Sequence, residues 1–275
     1  MDIKEAIAKA ADRIDLSEAE AKSVMEIMLS GEATQAQIAA FLTALRMKGE
    51  TLDELVGLAS VLRDKAETIA PEAENYVDLV GTGGDCTYTF NVSTTSAFVV
   101  AAAGLPVAKH GNRSISSRSG AGDVLEALGV NITAEPELVK KCVDEVGIGF
   151  MFAQLFNKSM KYVGQARKEM GIRTVFNILG PLSNPAAATM QLLGVYDKKL
   201  VEPLAKVLGN LGVTRGVAVC GSDGLDEITV TGETTVCEIR FGETKTYTIS
   251  TEQFGRKRCE LSELIGGTPV ENAQI

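Results

Sequence analysis

Apolar residues in the first seventy positions recur at helical spacing, and beyond them short apolar runs alternate with further helix-period stretches. Residues 3–14 read as a first helix. Three capping boxes follow, Ser17 with Glu20, Thr34 with Gln37 and Thr51 with Glu54, each a hydroxyl followed three positions later by a side chain that can reach back. Gly31 and Gly49 stand where the first two of these helices must stop. Leu42, Leu45, Leu52, Leu55, Leu58 and Leu62 supply apolar faces for packing. The pattern predicts a small helical domain over 1–70, whose outer surface is available as a dimer interface. Residues 67–75, with Pro71, read as its connector.

From there the period changes. Strands are predicted at 76–80, 105–108, 149–153, 191–195 and 216–220, with helices at 95–103, 124–128, 137–146 and 199–211 between them. Residues 234–250 alternate around Gly242-Glu243, the pattern of a β-hairpin. Strands separated by helices imply a mostly parallel, helix-covered central sheet, so the fold class is α/β, with residues 71–275 as the larger α/β domain. Ligands in such sheets sit at the carboxyl ends of strands. The predicted loops at those ends therefore carry the candidate chemistry.

Gly81-Thr82-Gly83-Gly84-Asp85 follows the first strand, and Asn91-Val92-Ser93-Thr94 opens an apolar helix, with Ser93 or Thr94 as the expected N-cap. Glycines let backbone N–H groups approach a ligand closely, and the positive end of the helix dipole faces the same loop, so this is a candidate site for a phosphorylated ligand. It is neither of the two common phosphate motifs, Gly-x-Gly-x-x-Gly or Gly-x4-Gly-Lys-Ser/Thr. A second loop places Lys109, Arg113 and Arg118 beside serines and ends at the Gly120-Ala121-Gly122 turn, a composition suited to phosphate oxygens. A third, Gly221-Ser222-Asp223-Gly224-Leu225-Asp226-Glu227, gathers carboxylates after a strand, which beside two anion loops suits Mg²⁺. The single histidine, His110, has no nucleophile elbow near it, which sets hydrolase chemistry aside.

Composition narrows the partners. The 275-residue chain carries a net charge of -9, which argues against nucleic acid as a partner. It lacks a run of about 18 apolar residues, so no membrane span is expected. Met1 leads directly into Asp2-Ile3-Lys4-Glu5 without an apolar leader, and the expected location is cytoplasmic. Five scattered cysteines, Cys86, Cys142, Cys220, Cys237 and Cys259, fit reduced thiols better than a disulfide framework or a zinc site.

Five motifs in order, Gly81-Thr82-Gly83-Gly84-Asp85, Asn91-Val92-Ser93-Thr94, Lys109-His110-Gly111-Asn112-Arg113, Arg173-Thr174-Val175-Phe176-Asn177-Ile178-Leu179-Gly180-Pro181-Leu182 and Asp223-Gly224-Leu225-Asp226-Glu227, resemble the anthranilate phosphoribosyltransferase family over nearly the whole chain. The neighbouring pyrimidine nucleoside phosphorylases share the architecture but carry a different glycine motif. The resemblance implies a homodimer formed through the helical part, with substrates in a hinge cleft. It further implies that 5-phosphoribosyl 1-diphosphate is held by Gly81, Gly84, Asp85, Thr89, Asn91, Val92, Ser93, Thr94, Lys109, His110, Gly111, Asn112, Arg113, Ser114, Ile115, Ser116, Ser117 and Ala121. Ser93, Asp226 and Glu227 would hold Mg²⁺, and Gly81, Asn112 and Arg167 would contact anthranilate, Arg167 through its carboxylate. No residue is assigned as a general acid or base, because a neutral aromatic amine needs no strong base to attack.

Three departures from the family pattern stand out. Phe152-Ala153-Gln154-Leu155-Phe156-Asn157 replaces a Phe-Ala-Pro segment followed by histidines, altering a wall of the expected acceptor tunnel. Ser119-Gly120-Ala121-Gly122-Asp123 replaces Ser-Gly-Ser-Ala-Asp and loses a hydroxyl. The resemblance also leads one to expect two or three further helices beyond Ile275, covering one face of the sheet. The competing expectations are a catalytically silent ligand-binding protein and a related transferase with another aromatic amine. Turnover with anthranilate separates both from the first.

Overall fold

The computed structural model describes residues 1–84, 87–114 and 118–275. Four helices come first: α1 (Ile3–Ala11), α2 (Glu18–Ser30), α3 (Gln35–Lys48) and α4 (Leu52–Asp64). The order then runs β1 (Val77–Gly81), α5 (Val92–Ala102), β2 (Val107–Gly111), α6 (Ala121–Ala127), α7 (Pro136–Val146), β3 (Ile148–Phe152) and α8 (Ala153–Phe156). Two further helices, α9 (Lys161–Met170) and α10 (Phe176–Leu182), precede β4 (Met190–Gly194), α11 (Lys198–Asn210), β5 (Arg215–Gly221), β6 (Glu233–Arg240), β7 (Glu243–Ser250) and α12 (Pro269–Gln274). The chain forms two compact units. One comprises Met1–Glu67 with Asn157–Ser183, the other Thr68–Phe156 with Asn184–Ile275.

The expected boundary near residue 70 is thus joined by two more, since α9 and α10 return to the helical unit. The return is made by specific polar contacts. The Gln35 side chain donates to the Tyr162 carbonyl at 3.0 Å and accepts from the Ala166 N–H at 2.8 Å, and Arg63 Nε donates to the Leu182 carbonyl at 2.7 Å. All three capping boxes form, and an additional one at Asp2 and Glu5 starts α1. The first helix stops at Ala11, three residues earlier than its apolar spacing predicts, because Asp12 caps it and Arg13 turns to φ 59°.

Side chains such as Met25, Met28, Phe41, Leu42 and Leu58 are fully buried in this unit, each contributing roughly 1.5–3 kcal/mol. Gly57 lets α4 approach α2 closely: a Cβ there would stand 2.5 Å from the Glu18 carbonyl oxygen and 2.9 Å from Ala21 Cβ. Beneath the α3–α4 turn lies a buried ion pair, Lys48 Nζ to Glu54 Oε2 at 2.9 Å. Glu54 also accepts the N–H groups of Leu16 at 2.9 Å and Thr51 at 2.8 Å, so its charge is well satisfied.

In the second unit, the seven strands among the described residues follow the order β3-β2-β1-β4-β5-β6-β7. The pairs from β3 through to β5 are parallel, and β6 and β7 add the antiparallel hairpin. Alternation along the strands sends Val77, Leu79 and Val107 to one face against Ala97 of α5. Ala108 and Met151 go to the other face, against Val139 and Val143 of α7. β1 has β2 on one side and β4 on the other, which makes the end of β1 the topological switch point. Among the described residues no helix is long and apolar enough to cross a membrane, and Cys142, Cys220, Cys237 and Cys259 are free thiols.

Candidate active site

Gly81 and Gly194 are register partners at the carboxyl ends of β1 and β4. Both are glycine for want of space: a Cβ on Gly81 would overlap the Asp226 carboxylate, and one on Gly194 would overlap the Asp226 carbonyl. Asp226 is thereby seated over the switch point, buried, with its Oδ2 accepting the Gly83 N–H at 2.6 Å. Thr82 N–H donates to the Gly194 carbonyl at 3.0 Å, so the first glycine turn is pinned at both ends while Gly83 and Gly84 take φ values of 66° and 81°.

The turn that delivers Asp226 is built around Asp223. Asp223 Oδ2 accepts the Thr229 hydroxyl at 2.6 Å and the Thr231 hydroxyl, and Oδ1 accepts the Leu225 N–H at 3.1 Å. Burial alone would raise the Asp223 pKa; the hydrogen bonds from Thr229, Thr231 and Leu225 outweigh it and hold the carboxyl below its ordinary value. Glu227, half-buried, faces Lys109 closely enough to favour its charge.

On the other side of the switch point, α5 begins at Val92, so Ser93 and Thr94 are within its first turn and not its N-cap as the sequence pattern predicts. The reason is that both hydroxyls are engaged elsewhere. Thr94 Oγ1 donates to Asn91 Oδ1 at 3.0 Å, and Ser93 Oγ accepts from Lys109 Nζ at 3.2 Å. Lys109 is 3% exposed and also donates to the Leu79 carbonyl. Burial pushes its pKa down, against the favourable charges of Asp78 and Glu227. Asp78, fully buried in β1, accepts the His110 N–H at 3.1 Å. His110 itself is buried. Gly111 packs against the Phe150 ring, with no room for a Cβ.

The β2–α6 loop is anchored by Asp123. Its Oδ2 accepts the N–H groups of both Ser114 and Gly120 at 2.9 Å, and Gly122 N–H donates to the Asn112 carbonyl at 3.1 Å. These contacts start α6 at Ala121, earlier than predicted, so Ala121 and Gly122 belong to its first turn. Of the three cations expected here, Lys109 is buried. The Arg113 guanidinium is gripped by Glu126 at 2.7 and 2.9 Å and by Asp123 at 3.3 Å, which raise its pKa. Arg118 is exposed. Thr89 is half-buried in an isolated bridge with Ile265, and Gly84 is exposed. Asp85, Ile115, Ser116 and Ser117, with Cys86, lie outside the described residues.

Arg167 belongs to the helical unit, on α9. Its guanidinium lies over the Phe176 ring at 5.0 Å, half-buried, and among the described residues it has no carboxylate partner. Burial lowers its pKa, but a guanidinium stays charged, so α9 and α10 place a cation on an aromatic ring.

Three supports of this site escaped the sequence pattern. Asp78 is hidden inside an apolar run, and Gly194 is an ordinary strand-end glycine until its pairing with Gly81 is known. Asp123 was legible in principle, as a carboxylate three residues after Gly120. Among the described residues no cluster of three or more His, Cys, Asp or Glu side chains could hold a metal. A cation here would rest on two carboxylates, a hydroxyl and ligand oxygens.

A helical unit joined to a mostly parallel sheet, with glycine, basic and acidic loops meeting at a switch point, defines a two-domain glycosyl transferase. Residues 4–66 match the model of the glycosyl transferase family's helical bundle domain, and residues 73–275 match that of its a/b domain. The chain is 55% identical to the anthranilate phosphoribosyltransferase of Endomicrobium trichonymphae, over 99% of this chain and 81% of that protein. It is 53% identical to the one from Methanobrevibacter smithii, over 99% and 81%. The crystal structure of anthranilate phosphoribosyltransferase from Thermus thermophilus superposes with a TM-score of 0.92 at 43% identity, covering 98% of this chain and 80% of that one. The Saccharomyces cerevisiae enzyme in complex with PRPP and Mg superposes with a TM-score of 0.90 at 31% identity, covering 99% and 79%. The chain belongs to the anthranilate phosphoribosyltransferase family.

Proposed function

We propose that this protein transfers the phosphoribosyl group of 5-phosphoribosyl 1-diphosphate to anthranilate, giving N-(5-phosphoribosyl)anthranilate and diphosphate in tryptophan biosynthesis. It works as a cytoplasmic homodimer paired through the helical unit. The observation that carries the reading is the seat of Asp226 between Gly81, Gly83 and Gly194, with Ser93, Lys109 and Glu227 beside it, in a chain of this family. Ser93, Asp226 and Glu227 are all oxygen donors, a set that suits a hard divalent cation such as Mg²⁺. When bound, Mg²⁺ supplies charge compensation for the diphosphate leaving group.

The remaining donor contacts come from the glycine turn (Gly81, Gly84 and Asp85), from Thr89 and Asn91 to Thr94, from the stretch Lys109 to Ser117 and from the backbone at Ala121. Backbone N–H groups near the α5 terminus stabilise negative charge on the departing diphosphate. Arg167 pairs with the anthranilate carboxylate, and Gly81 and Asn112 contact the acceptor. A guanidinium on Phe176 with no carboxylate partner among the described residues supports that role, since such a half-buried cation favours an anionic ligand.

Loss of anthranilate fluorescence on adding donor and Mg²⁺, with a metal-free control, tests the proposal. Metal-dependent loss is expected. No loss while calorimetry still shows donor binding would refute anthranilate as acceptor.

A further inference from the structure

The loop that carries Thr89 and Asn91 is paired along its backbone with the last stretch of the chain. Phe90 N–H donates to the Leu264 carbonyl at 2.8 Å, Gly266 N–H donates to the Tyr88 carbonyl at 2.9 Å, and Thr89 and Ile265 form an antiparallel bridge between them. Gly266 is the point of closest approach. A Cβ there would lie 2.7 Å from Phe90 Cα, 2.8 Å from Phe90 N and 2.6 Å from Asn272 Oδ1. Gly266 does not take a positive φ, so glycine is required for space and not for conformation. Two of the three obstructing atoms are backbone, which cannot rotate away as a flexible side chain would.

Asn272 closes the same segment. It is 9% exposed, and its Nδ2 donates to the Gly267 carbonyl at 2.8 Å and the Thr268 carbonyl at 3.1 Å. Thr268 caps α12 in a box with Glu271, and α12 packs against α6. The first turn of α6 holds Asp123, the acceptor that ties Ser114 and Gly120. One segment therefore reaches both loops assigned to the donor, the first by backbone pairing and the second through α6.

We propose that residues 264–275 form a strap that positions the two donor loops, with Gly266 and Asn272 as its positioning residues. Neither touches the reacting atoms. Gly266 keeps the strap close enough to pair with Tyr88 and Phe90, and Asn272 holds the turn that presents Gly266. The strap serves binding of the phosphoribosyl diphosphate, and this role rests on the donor assignment of Thr89 and Asn91 made above. Misplacement of a binding loop by about 1 Å costs up to about a hundredfold in rate.

The test compares Gly266→Ala, Asn272→Asp and a control, Gly209→Ala, whose Cβ would find only an ordinary contact, 3.8 Å from the Ile239 side chain. Two quantities are read: deuterium exchange at the Phe90 amide in the ligand-free protein, and the Michaelis constants for donor and anthranilate. Faster Phe90 exchange in both strap variants is expected, with a donor KM raised roughly tenfold and an anthranilate KM and kcat that change much less. The control should match wild type. If Gly266→Ala does not fold, Asn272→Asp, which keeps the side chain's size but replaces its amide donor with a carboxylate facing the Gly267 and Thr268 carbonyls, decides alone. Unchanged exchange would overturn the strap, and faster exchange with an unchanged donor KM would overturn its positioning role. Wild-type protein that fails to turn over would refute the transferase reading separately, leaving the strap to be judged by exchange and donor calorimetry.

Discussion

Replacing Asp223 with Ala is expected to disorder the turn that presents Asp226 and Glu227 without touching either carboxylate. Asp223 takes hydrogen bonds from the Thr229 and Thr231 hydroxyls and from the Leu225 N–H. The half-buried Thr231 hydroxyl can turn to water, so its loss counts for little, while the N–H of buried Leu225 loses its acceptor and adds to the cost. Thr229 is only 3% exposed, and its bond to a charged acceptor at 2.6 Å is worth about 1.5–3 kcal/mol. If that energy holds the turn in its active arrangement, its loss lowers turnover by roughly ten- to a hundredfold. It should also raise the Mg²⁺ concentration that gives half-maximal rate. Asp223→Asn keeps the shape and the Oδ1 acceptor, and it should fall between wild type and Ala. The assay is a magnesium titration of anthranilate fluorescence loss at saturating donor. An Asp223→Ala protein with wild-type rate and wild-type magnesium dependence would show that the turn is held by something else.

Arg167→Ala should raise the anthranilate KM with little change in the donor KM; steady-state kinetics with each substrate varied will show it, and an unaltered acceptor KM removes Arg167 from the site. Glu54→Ala leaves Lys48 with Asp15, at 2.6 Å, as its remaining carboxylate and leaves the Leu16 and Thr51 N–H groups without an acceptor, so stability should drop by about 1–3 kcal/mol in urea titrations. A loss under about 1 kcal/mol, the worth of an exposed pair, would contradict the buried network. The Asp123 carboxyl lies below its ordinary 3.8: burial opposes this shift, and the N–H groups of Ser114 and Gly120 with Arg113 overcome it. A depressed carboxyl stabilises fully above the ordinary value and ceases to do so as pH falls through the folded one. The difference in melting temperature between wild type and Asp123→Asn should therefore close below about pH 4, and a gap constant down to acid unfolding would refute this.

The helical unit was legible where local chemistry decides. Ser17, Thr34 and Thr51 each found the partner three residues on that their spacing promised. The glycine, basic and acidic stretches were legible as loops at strand ends, because each follows a short apolar run and carries turn-forming residues. What could not be read depends on packing between distant residues. Val163 and Ala166 give α9 an apolar stripe, but nothing in that stripe says that Gln35 will receive it. Ser93 and Thr94 have the composition of an N-cap, yet Lys109, sixteen residues away, takes the oxygen of one of them. Gly266 looks like any turn glycine until Phe90 is placed against it.

The return of residues 157–183 to the helical unit imposes an order on synthesis. After the first four helices emerge, Gln35 and Arg63 face water until α9 and α10 arrive, and roughly ninety residues, Thr68–Phe156, come out in between. At about 5–20 residues per second that is a delay of about 5–20 s. Strand β1 waits over a similar span, because its neighbour β4 follows α10. Neither unit can close before the ribosome has passed Ser183, and the second must then wait for Asn184–Ile275 as well, so the helical unit can complete its folding first.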